Sequence, residues 1–350
     1  MAQCELFNTT TSNIHISTNI IAHCDTFLPE DFFSISNAIS NFKKGQPFRE
    51  PSGLINVGHN CYMNVVIQCL AFTPGFKNFC LTMPNAMYNA NNDGPFFLDS
   101  FAHVFSLMNG SKSICPDWLI TDSQYINPIY KPPYQQDAHE FLINLLDKFD
   151  QECRAALFNN NRDASKNIIN QPSTMISNMF YGKISTKVRC KKCNYSNDEV
   201  STFSDISIPI HTYNSVETAI NKMLSFTSDE VDGKCEKCDQ ANCVIASKNI
   251  IQYPLILIVT LMRFDNQCRK IDDYLEYQKF ITVGENKIKY QLYAMIIHEG
   301  RMINHGHFIS YVMDSKETWY KVNDVCIFKV PEKKILELNP YVLFYKQCGI

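Results

Sequence analysis

The stretch Gly53-Leu54-Ile55-Asn56-Val57-Gly58-His59-Asn60-Cys61-Tyr62-Met63-Asn64 decides how this chain folds. It is a glycine-punctuated loop, and Val65–Leu70 then follow with apolar side chains at helical spacing. Cys61 therefore lies at the N-terminus of a predicted helix, where unpaired N–H groups and the helix dipole stabilise a thiolate. The pattern predicts a nucleophile. The alternative is a small buried apolar residue, as most free cysteines are.

A base that could serve this thiol stands far downstream. His307 opens a predicted strand, and a second predicted strand, Trp319–Val322, is followed by Asn323 and Asp324. A Cys–His–Asn/Asp arrangement needs a histidine to take the thiol proton and an amide or carboxylate to orient the ring. A lone histidine is usually only a satisfied polar residue, so the combination with Cys61 is what favours catalysis.

The order Cys, His, Asn/Asp resembles that of papain-like cysteine proteases. Cys61 and His307 lie 246 positions apart, whereas papain-type enzymes have roughly 130–150 residues between the two. We therefore expect an insertion between the nucleophile and the base.

Two Cys-x-x-Cys pairs lie in the segment between them. Cys190 and Cys193 form the first pair, Cys235 and Cys238 the second, and 41 residues separate the pairs. Four such thiolates can bind one tetrahedral zinc ion, although two unrelated pairs or a site that has lost its metal would look the same. Because the pairs are far from His307 in sequence, we expect one structural Zn²⁺ that closes a β-ribbon, and no catalytic metal.

The composition limits the other classes of function. The 350 residues include 32 Lys and Arg and 35 Asp and Glu, so there is no surplus of positive charge to bind a phosphate backbone. We therefore expect no nucleic-acid partner. Met1–Cys24 does not look like a signal peptide, and no stretch has the roughly 18 apolar residues of a membrane span. We expect an intracellular protein, in the cytoplasm or nucleus. The odd count of 15 cysteines favours thiol or metal chemistry over disulfides.

The hydrophobic pattern divides the chain. Residues 1–52 are predicted to be a poorly ordered extension with a short helix near Phe32–Phe42. Residues 61–149 have a helical pattern, clearest from Ala138 to Phe149, and the part after Ser177 is predicted to be mainly antiparallel sheet. The predicted strands are Lys183–Val188, Ser204–Ile210, Leu255–Phe264, Tyr290–His298, Phe308–Met313, Trp319–Val322 and Tyr341–Tyr345.

Taken together, these residues resemble the ubiquitin-specific protease family, from about Gly53 to about Tyr345. The family's cysteine motif, Gly-Leu-x-Asn-x-Gly-Asn-Thr-Cys-Tyr-Met-Asn, matches Gly53–Asn64 except at His59 and Asn60. The other blocks that are similar to the family are Gln136–Leu142, the two Cys-x-x-Cys pairs, Leu255–Phe264, Gly306-His307-Phe308 and Tyr341–Tyr345.

The resemblance implies an α+β papain-like fold with three parts: a helical thumb at about 53–176, zinc-tipped β fingers at about 177–250 and an antiparallel palm at about 251–347. It also implies a thiol-dependent deubiquitinase that hydrolyses the isopeptide or peptide bond at the C-terminal Gly of ubiquitin. Cys61, His307 and Asn323 would form the triad, with Asp324 as an auxiliary and Asn56 as the oxyanion donor.

The resemblance further implies how ubiquitin would bind. Asp137 and Glu140 match carboxylates that bind the basic tail of ubiquitin, as bidentate partners for arginine would; otherwise they are solvated charges near a helix N-terminus. Gly306 would let the backbone approach a Gly-Gly tail. Phe308 would be part of the same site, although it replaces the usual Tyr and lacks its hydroxyl. His59 and Asn60 could change the turn and the thiolate fraction of the nucleophile.

Three rival functions remain. The departures from the family motif make a catalytically idle ubiquitin-binding scaffold conceivable. A zinc-ribbon nucleic-acid module is disfavoured by the negative net charge, and a protease that acts on a modifier related to ubiquitin would use the same chemistry. We expect a monomer whose partners are ubiquitin and ubiquitinated proteins, with targeting by surface loops, by residues 1–52 or by a partner protein.

Overall fold

The computed structural model describes residues 35–44, 50–82, 95–108, 113–160, 173–231, 234–241, 243–265, 267, 269–302 and 305–349. Its α-helices are α1 (Ile35–Lys44), α2 (Cys61–Ala71), α3 (Phe76–Thr82), α4 (Phe97–Leu107), α5 (Asp117–Asp122), α6 (Ala138–Asn160), α7 (Met175–Phe180), α8 (Val216–Leu224) and α9 (Glu332–Ile335), with 3-10 turns at Ser123–Tyr125 and Pro128–Tyr130. Its strands are β1 (Gly182–Cys190), β2 (Ser196–Phe203), β3 (Asp205–Pro209), β4 (Phe226–Val231), β5 (Val244–Gln252), β6 (Ile256–Met262), β7 (Phe280–Val283), β8 (Ile288–Met302), β9 (His305–Met313), β10 (Trp319–Asn323), β11 (Cys326–Val330) and β12 (Val342–Gln347).

Helix α2 lies at the centre of the helical part, and every one of its residues is buried. It contacts α6 as well as strands β8 and β9. The predicted apolar face of α6 is buried at every position, namely Ala138, Phe141, Leu142, Leu145, Leu146 and Phe149. Helix α2 is therefore enclosed between α6 and the sheet, which fixes its N-terminus at the junction of the thumb and the sheet.

The palm is an eight-stranded sheet in the order β11-β10-β9-β8-β12-β6-β3, with β7 paired to β8. Among the strands that the structure describes in this sheet, β3 and β6 alone pair in parallel; the other pairs are antiparallel, as the sequence predicts. Strand β6 is buried along nearly its whole length, which agrees with the continuous apolar run from which it was predicted. Neighbouring strands β9 and β10 bring His307 and Asn323 to the same end of the sheet.

The fingers are a four-stranded antiparallel sheet in the order β2-β1-β5-β4. Strands β2, β4, β5, β7 and β11 were not predicted. The sequence Ser196–Phe203 shows why, because nearly all its side chains are exposed on both faces and no apolar alternation marks it as a strand. It is a strand because its backbone pairs with β1 along its whole length.

The N-terminal region is described only in part. Residues 1–34 and 45–49 of the predicted extension lie outside the described residues. Helix α1 overlaps the predicted Phe32–Phe42 helix; it contacts α3 and α7, and Ala38 is fully buried. Among the described residues, no helix combines the length and apolar composition needed to cross a membrane.

A buried carboxylate joins two thumb helices. Glu152 of α6 accepts hydrogen bonds from the backbone N–H groups of Phe97 (2.8 Å) and Leu98 (3.0 Å) at the start of α4. These are N–H groups that a helix cannot satisfy internally. A side chain from another helix therefore caps α4. Burial raises the pKa of this carboxyl to about 7, and the two N–H groups oppose that rise.

Replacing Glu152 should destabilise the thumb. Glu152→Ala leaves two buried N–H donors without an acceptor, and we expect the free energy of unfolding to fall by about 3 kcal/mol. Glu152→Gln keeps one acceptor oxygen and should cost less. Urea denaturation followed by circular dichroism measures both, with the exposed Glu337→Ala as control. Equal stability of Glu152→Ala and the control would contradict this account.

Candidate active site

Cys61 is the first residue of α2, as predicted, and only 2% of its surface is exposed. The loop before it is held by the side chain of Asn60, which accepts from the N–H of Val57 (2.8 Å) and donates to Ile55 O and Asn64 Oδ1 (both 3.1 Å). Gly58 adopts a φ of +123°, which a residue with a side chain rarely does. The departure at Asn60 thus supplies the bonds that fix the nucleophile loop.

Cys61 and His307 are hydrogen-bonded across the junction of thumb and palm. Burial raises the pKa of the Cys61 thiol, but the hydrogen bond to His307, the N–H of Phe308 and the charge of His307 together bring it below its usual value. The same hydrogen bond to Cys61 is the largest cause that raises the pKa of His307 to about 9. The two shifts favour a thiolate–imidazolium pair at neutral pH.

Asn323 orients the imidazole. His307 Nε2 lies 2.6 Å from Asn323 Oδ1, and since a carbonyl oxygen can only accept, Nε2 carries the donated proton. Nδ1 is then the nitrogen that faces Cys61. The hydrogen bond to Asn323 also raises the pKa of His307. The hydrogen bond to Cys61 raises it more, and burial lowers it. The structure therefore brings Cys61, His307 and Asn323 together in the predicted order.

Asp324 binds the nucleophile loop. Its Oδ2 accepts from Asn56 Nδ2 (3.0 Å) and its Oδ1 from Asn64 Nδ2 (2.8 Å), while its backbone oxygen accepts from the N–H of Leu54 (3.0 Å). Oδ2 also lies 3.7 Å from His307 Nε2. Asn56 is held at its other end too, because its Oδ1 accepts from the N–H of Gly58 (2.9 Å). Asp324 thus holds Asn56 in place, and its charge lies beside the imidazole.

Gln135 belongs to the site but was not predicted. Its side-chain amide donates to Cys61 Sγ at 3.4 Å and to the backbone oxygen of Gly306, so it crosses the cleft between thumb and palm. Its position directly before the family-like block Gln136–Leu142 was the available signal. Its hydrogen bond also contributes to the lowered pKa of Cys61.

The predicted tail-binding carboxylates lie at the N-terminus of α6. Asp137 Oδ1 accepts from the N–H of Glu140 (2.9 Å), and its Oδ2 accepts from the Tyr341 hydroxyl (2.8 Å). Asp137 therefore caps the helix and links it to the palm. Glu140 lies in the first turn with its side chain exposed. Both carboxylates are near the cleft, since Asp137 is two residues from Gln135.

Gly306 and Phe308 flank the base. A Cβ atom at Gly306 would lie 2.2 Å from His298 Nε2, so the buried His298 leaves no room for a side chain there. Phe308 is fully buried, with its ring 4.8 Å from that of His298. What Phe308 presents to Cys61 is its backbone N–H. The side chain that departs from the family motif is therefore in the core.

The four cysteines of the two Cys-x-x-Cys pairs meet at the tip of the fingers. Their sulfur atoms all lie within 4.8 Å of one another. Two of the separations, Cys190 to Cys238 at 3.7 Å and Cys193 to Cys235 at 3.6 Å, approach the edge of about 3.8 Å that a tetrahedron with Zn–S bonds of about 2.3 Å requires. The arrangement is compatible with a zinc site.

Backbone N–H groups are also directed at these sulfur atoms. Cys190 Sγ accepts from Lys192 (3.4 Å) and Cys193 (3.5 Å), and Cys235 Sγ accepts from Lys237 (3.4 Å). The N–H of Cys193 is the largest cause that shifts the pKa of Cys190, which falls to about 6. Such donors favour the thiolate form that a metal binds.

A fifth thiol lies beside the four. The sulfur of Cys243 is 3.5 Å from that of Cys190, and its S–H donates to Gln240 O at 3.0 Å. The sequence motifs gave no indication of it, because Cys243 belongs to neither Cys-x-x-Cys pair.

Comparison with known proteins identifies the family. The family profile for ubiquitin carboxyl-terminal hydrolases matches residues 52–345, which is most of the chain. The chain belongs to the ubiquitin carboxyl-terminal hydrolase family. Its matched range begins just before the nucleophile loop and ends in β12, so it includes the triad, the cysteine cluster and both sheets.

Curated relatives of this hydrolase family are longer than this chain. Ubiquitin carboxyl-terminal hydrolase 25 of Arabidopsis thaliana is 28% identical over 322 residues, covering 85% of this chain and 48% of the relative. Human ubiquitin carboxyl-terminal hydrolase 42 is 28% identical over 315 residues, covering 86% of this chain and 23% of the relative. The chain thus spans about half the length, or less, of these relatives.

Solved structures show the same fold. The SAGA Ubp8/Sgf11/Sus1/Sgf73 DUB module bound to ubiquitin aldehyde contains a chain that matches with a TM-score of 0.69 and 24% identity, covering 85% of this chain and 70% of that one. The expectation of an α+β fold with thumb, palm and fingers is confirmed.

The pair of pKa shifts predicts how Cys61 reacts with iodoacetamide. Asn323→Ala removes a bond that raises the pKa of His307, so less imidazolium is present and the pKa of Cys61 rises. Alkylation of Cys61 at pH 6 to 7 should slow, by about tenfold for each unit of that rise, whereas the rate at pH 10 should not change. Peptide mass spectrometry measures the rate.

The exposed thiol of Cys326 is the internal reference in the same sample. Its alkylation profile should be the same in both proteins. If the pH profile of Cys61 is unchanged by Asn323→Ala, or if Cys61 of the parent protein reacts at pH 6 to 7 no faster than Cys326, the thiolate–imidazolium assignment is wrong.

Proposed function

We propose that this chain is a cysteine-type deubiquitinase, which hydrolyses the isopeptide or peptide bond at the C-terminal Gly of ubiquitin. The observation that supports this most is the assembly of Cys61, His307 and Asn323 in one site, with the pKa of the thiol lowered and that of the imidazole raised. A buried thiol with no catalytic task would need neither an imidazole beside it nor a lowered pKa.

The reaction begins with attack of the Cys61 thiolate on the carbonyl carbon of the terminal Gly. His307, protonated and held by Asn323, donates its proton to the leaving amine, and a thioester to Cys61 remains. Water, with its proton taken by neutral His307, then attacks the thioester and releases ubiquitin. The raised pKa of His307 suits it to hold the proton until the amine leaves.

Stabilisation of the oxyanion is assigned to Asn56 together with backbone N–H groups near Cys61. Asn56 Nδ2 donates one hydrogen bond to Asp324 Oδ2, and its second N–H remains for the tetrahedral intermediate. Because both ends of the amide are hydrogen-bonded, the donor needs no reorganisation during the reaction. In this proposal Asp324 acts as the auxiliary that aims Asn56.

Substrate binding is assigned to the cleft that Gln135 crosses. Asp137 and Glu140 supply negative charge at the start of α6 for the basic residues of the ubiquitin tail. Gly306 supplies a backbone oxygen, bound by Gln135 in this structure, that an extended tail could use. Phe308 contributes through its backbone, since its ring is buried.

The fingers, in this proposal, support the globular part of ubiquitin and bind one structural Zn²⁺ through Cys190, Cys193, Cys235 and Cys238. The ion would cross-link the end of β1 to the segment before β5, and no step of the hydrolysis depends on it. We further propose a thumb at 53–176, fingers at 177–250 except for β3, which pairs with β6 in the palm sheet, and a palm at 251–347. The domain would act as an intracellular monomer in the cytoplasm or nucleus.

A targeting partner is also proposed. The similar Ubp8 domain was solved in a module with Sgf11, Sus1 and Sgf73, which shows that this fold can be combined with further chains. For this chain, ubiquitin and ubiquitinated proteins are the proposed partners, and a further protein would direct it to its targets.

A ubiquitin derivative with a C-terminal electrophile tests the function. We expect it to label the protein at Cys61, and we expect hydrolysis of a ubiquitin–fluorophore reporter. Cys61→Ala should abolish both while ubiquitin binding persists. Cys326→Ala, which removes an exposed thiol outside the site, should change neither.

The other possible results of this experiment distinguish between the rival functions. Ubiquitin binding without labelling would favour an idle scaffold, and labelling only by a derivative of a related modifier would replace ubiquitin as the substrate. Reporter hydrolysis by Cys61→Ala at the parent rate would refute the assignment.

Zinc analysis tests the metal. The purified protein should contain about one zinc per chain by elemental analysis, and Cys193→Ser should lose it and unfold at a lower temperature. Cys243→Ser is the matched control, because that thiol lies beside the four without belonging to them, and it should keep its zinc. Loss of zinc from Cys243→Ser alone would show that the ligand set is wrong.

A further inference from the structure

An apolar pocket of about 110 Å³ opens beside the nucleophile. One wall is the loop Val57–Asn60, the floor is Tyr62 and Met63 in the first turn of α2, and the other wall is Tyr130 with the segment 132–134. The pocket adjoins Cys61 on both sides in sequence, through Asn60 and Tyr62. None of the roles assigned above uses it.

The walls of this pocket are mostly apolar and already in place. Val57 is 56% exposed and Tyr134 is 68% exposed, although both are large hydrophobic residues. Asn60 fixes the loop wall through its three hydrogen bonds. The prolines at 132 and 133 restrict the opposite wall, and Tyr130 is fully buried against Phe141. A preformed apolar site next to a reactive group is typical of a ligand subsite.

The course of the chain gives the side of the cleft on which the pocket lies. Asp137 bonds Tyr341 on the side assigned to the ubiquitin tail. Gln135 then reaches the level of the sulfur, where it bonds Cys61 Sγ at 3.4 Å. Tyr134, the next residue in the same direction, lines the pocket. Gln135, which bonds the sulfur, therefore lies between the carboxylate assigned to the ubiquitin tail and the pocket, and we assign the pocket to the leaving-group side on that basis.

We propose that this pocket binds an apolar side chain of the ubiquitinated protein, adjacent to the lysine that carries ubiquitin. This rests on the proposed function and adds a preference for the leaving group. A cavity of this size accepts one aliphatic side chain, and His59 at its exposed rim is the residue by which the loop departs from the family motif. The catalytic steps are unchanged; the pocket improves the binding of the protein that leaves.

Synthetic substrates test this directly. Ubiquitin is joined through an isopeptide bond to the lysine of a short peptide with Leu, Ala or Asp at both flanking positions. The ubiquitin–fluorophore reporter, whose leaving group has no such side chains, is the reference for each protein. For the parent protein, kcat/KM relative to the reporter should be about tenfold higher for the Leu peptide than for the Ala peptide, and lowest for the Asp peptide.

Two variants locate the preference. Tyr134→Ala removes one wall and should reduce the Leu-to-Ala ratio towards one, while Tyr125→Ala, a similarly exposed tyrosine that does not line the pocket, should preserve it. Val57→Asp places a carboxylate at the rim and should shift the preference from Leu towards a fourth peptide with Arg at the flanking positions. An altered preference of this kind cannot result from misfolding.

Equal relative rates for the Leu, Ala and Asp peptides with the parent protein would overturn the proposal. So would a preference that Tyr134→Ala and Val57→Asp both leave intact. Failure of the proposed function gives a different result, because the reporter itself would then not be hydrolysed.

Discussion

The geometry of the site depends on the contacts that the carboxylate of Asp324 makes. It binds Asn56 and Asn64 on the nucleophile side and lies 3.7 Å from His307 Nε2 on the base side. The backbone φ angle of Asp324 is +50°, which is unfavourable for most residues with a side chain, though aspartate tolerates it better than most. Because Asn323 directly precedes it, one turn after β10 both orients the imidazole and fixes the loop that carries Asn56. Displacement of this turn would disturb His307 and Asn56 together.

The state of Cys61 follows from its neighbours and not from its burial. Cys69, Cys80 and Cys153 are buried in the same core, and burial raises the pKa of each well above its usual value. Burial is also the largest single effect on Cys61, yet its pKa is lowered. The difference is the set of donors around its sulfur, which come from β9 and from Gln135. A reactive thiol therefore requires the contact between thumb and palm, and a partly assembled domain would not have one.

The sequence predicted the parts of this site that are specified by a motif. Cys61 and His307 came from residue types in a fixed order, the choice of Asn323 over Asp324 came from the family resemblance, and the four clustered cysteines came from their pairing. Gln135 and Phe308 N–H were missed because their roles depend on which backbone or amide group faces the sulfur after folding. The same limit applies to the sheet: β6 was evident from its apolar run, whereas β2 is polar and exposed and exists through backbone pairing alone.

The three departures from the family motif differ in what they change. Phe308 acts through its backbone and has its ring in the core, so the loss of a hydroxyl there alters packing and leaves the N–H to Cys61 in place. Asn60 is buried and holds the loop with three hydrogen bonds, so it maintains the geometry of the nucleophile. His59 is exposed at the rim of the pocket beside Cys61, so it is constrained neither by burial in the core nor by a role in holding the loop. Phe308 and Asn60 therefore preserve the geometry around Cys61, whereas His59 lies at the rim of the pocket that we propose for a side chain of the leaving protein.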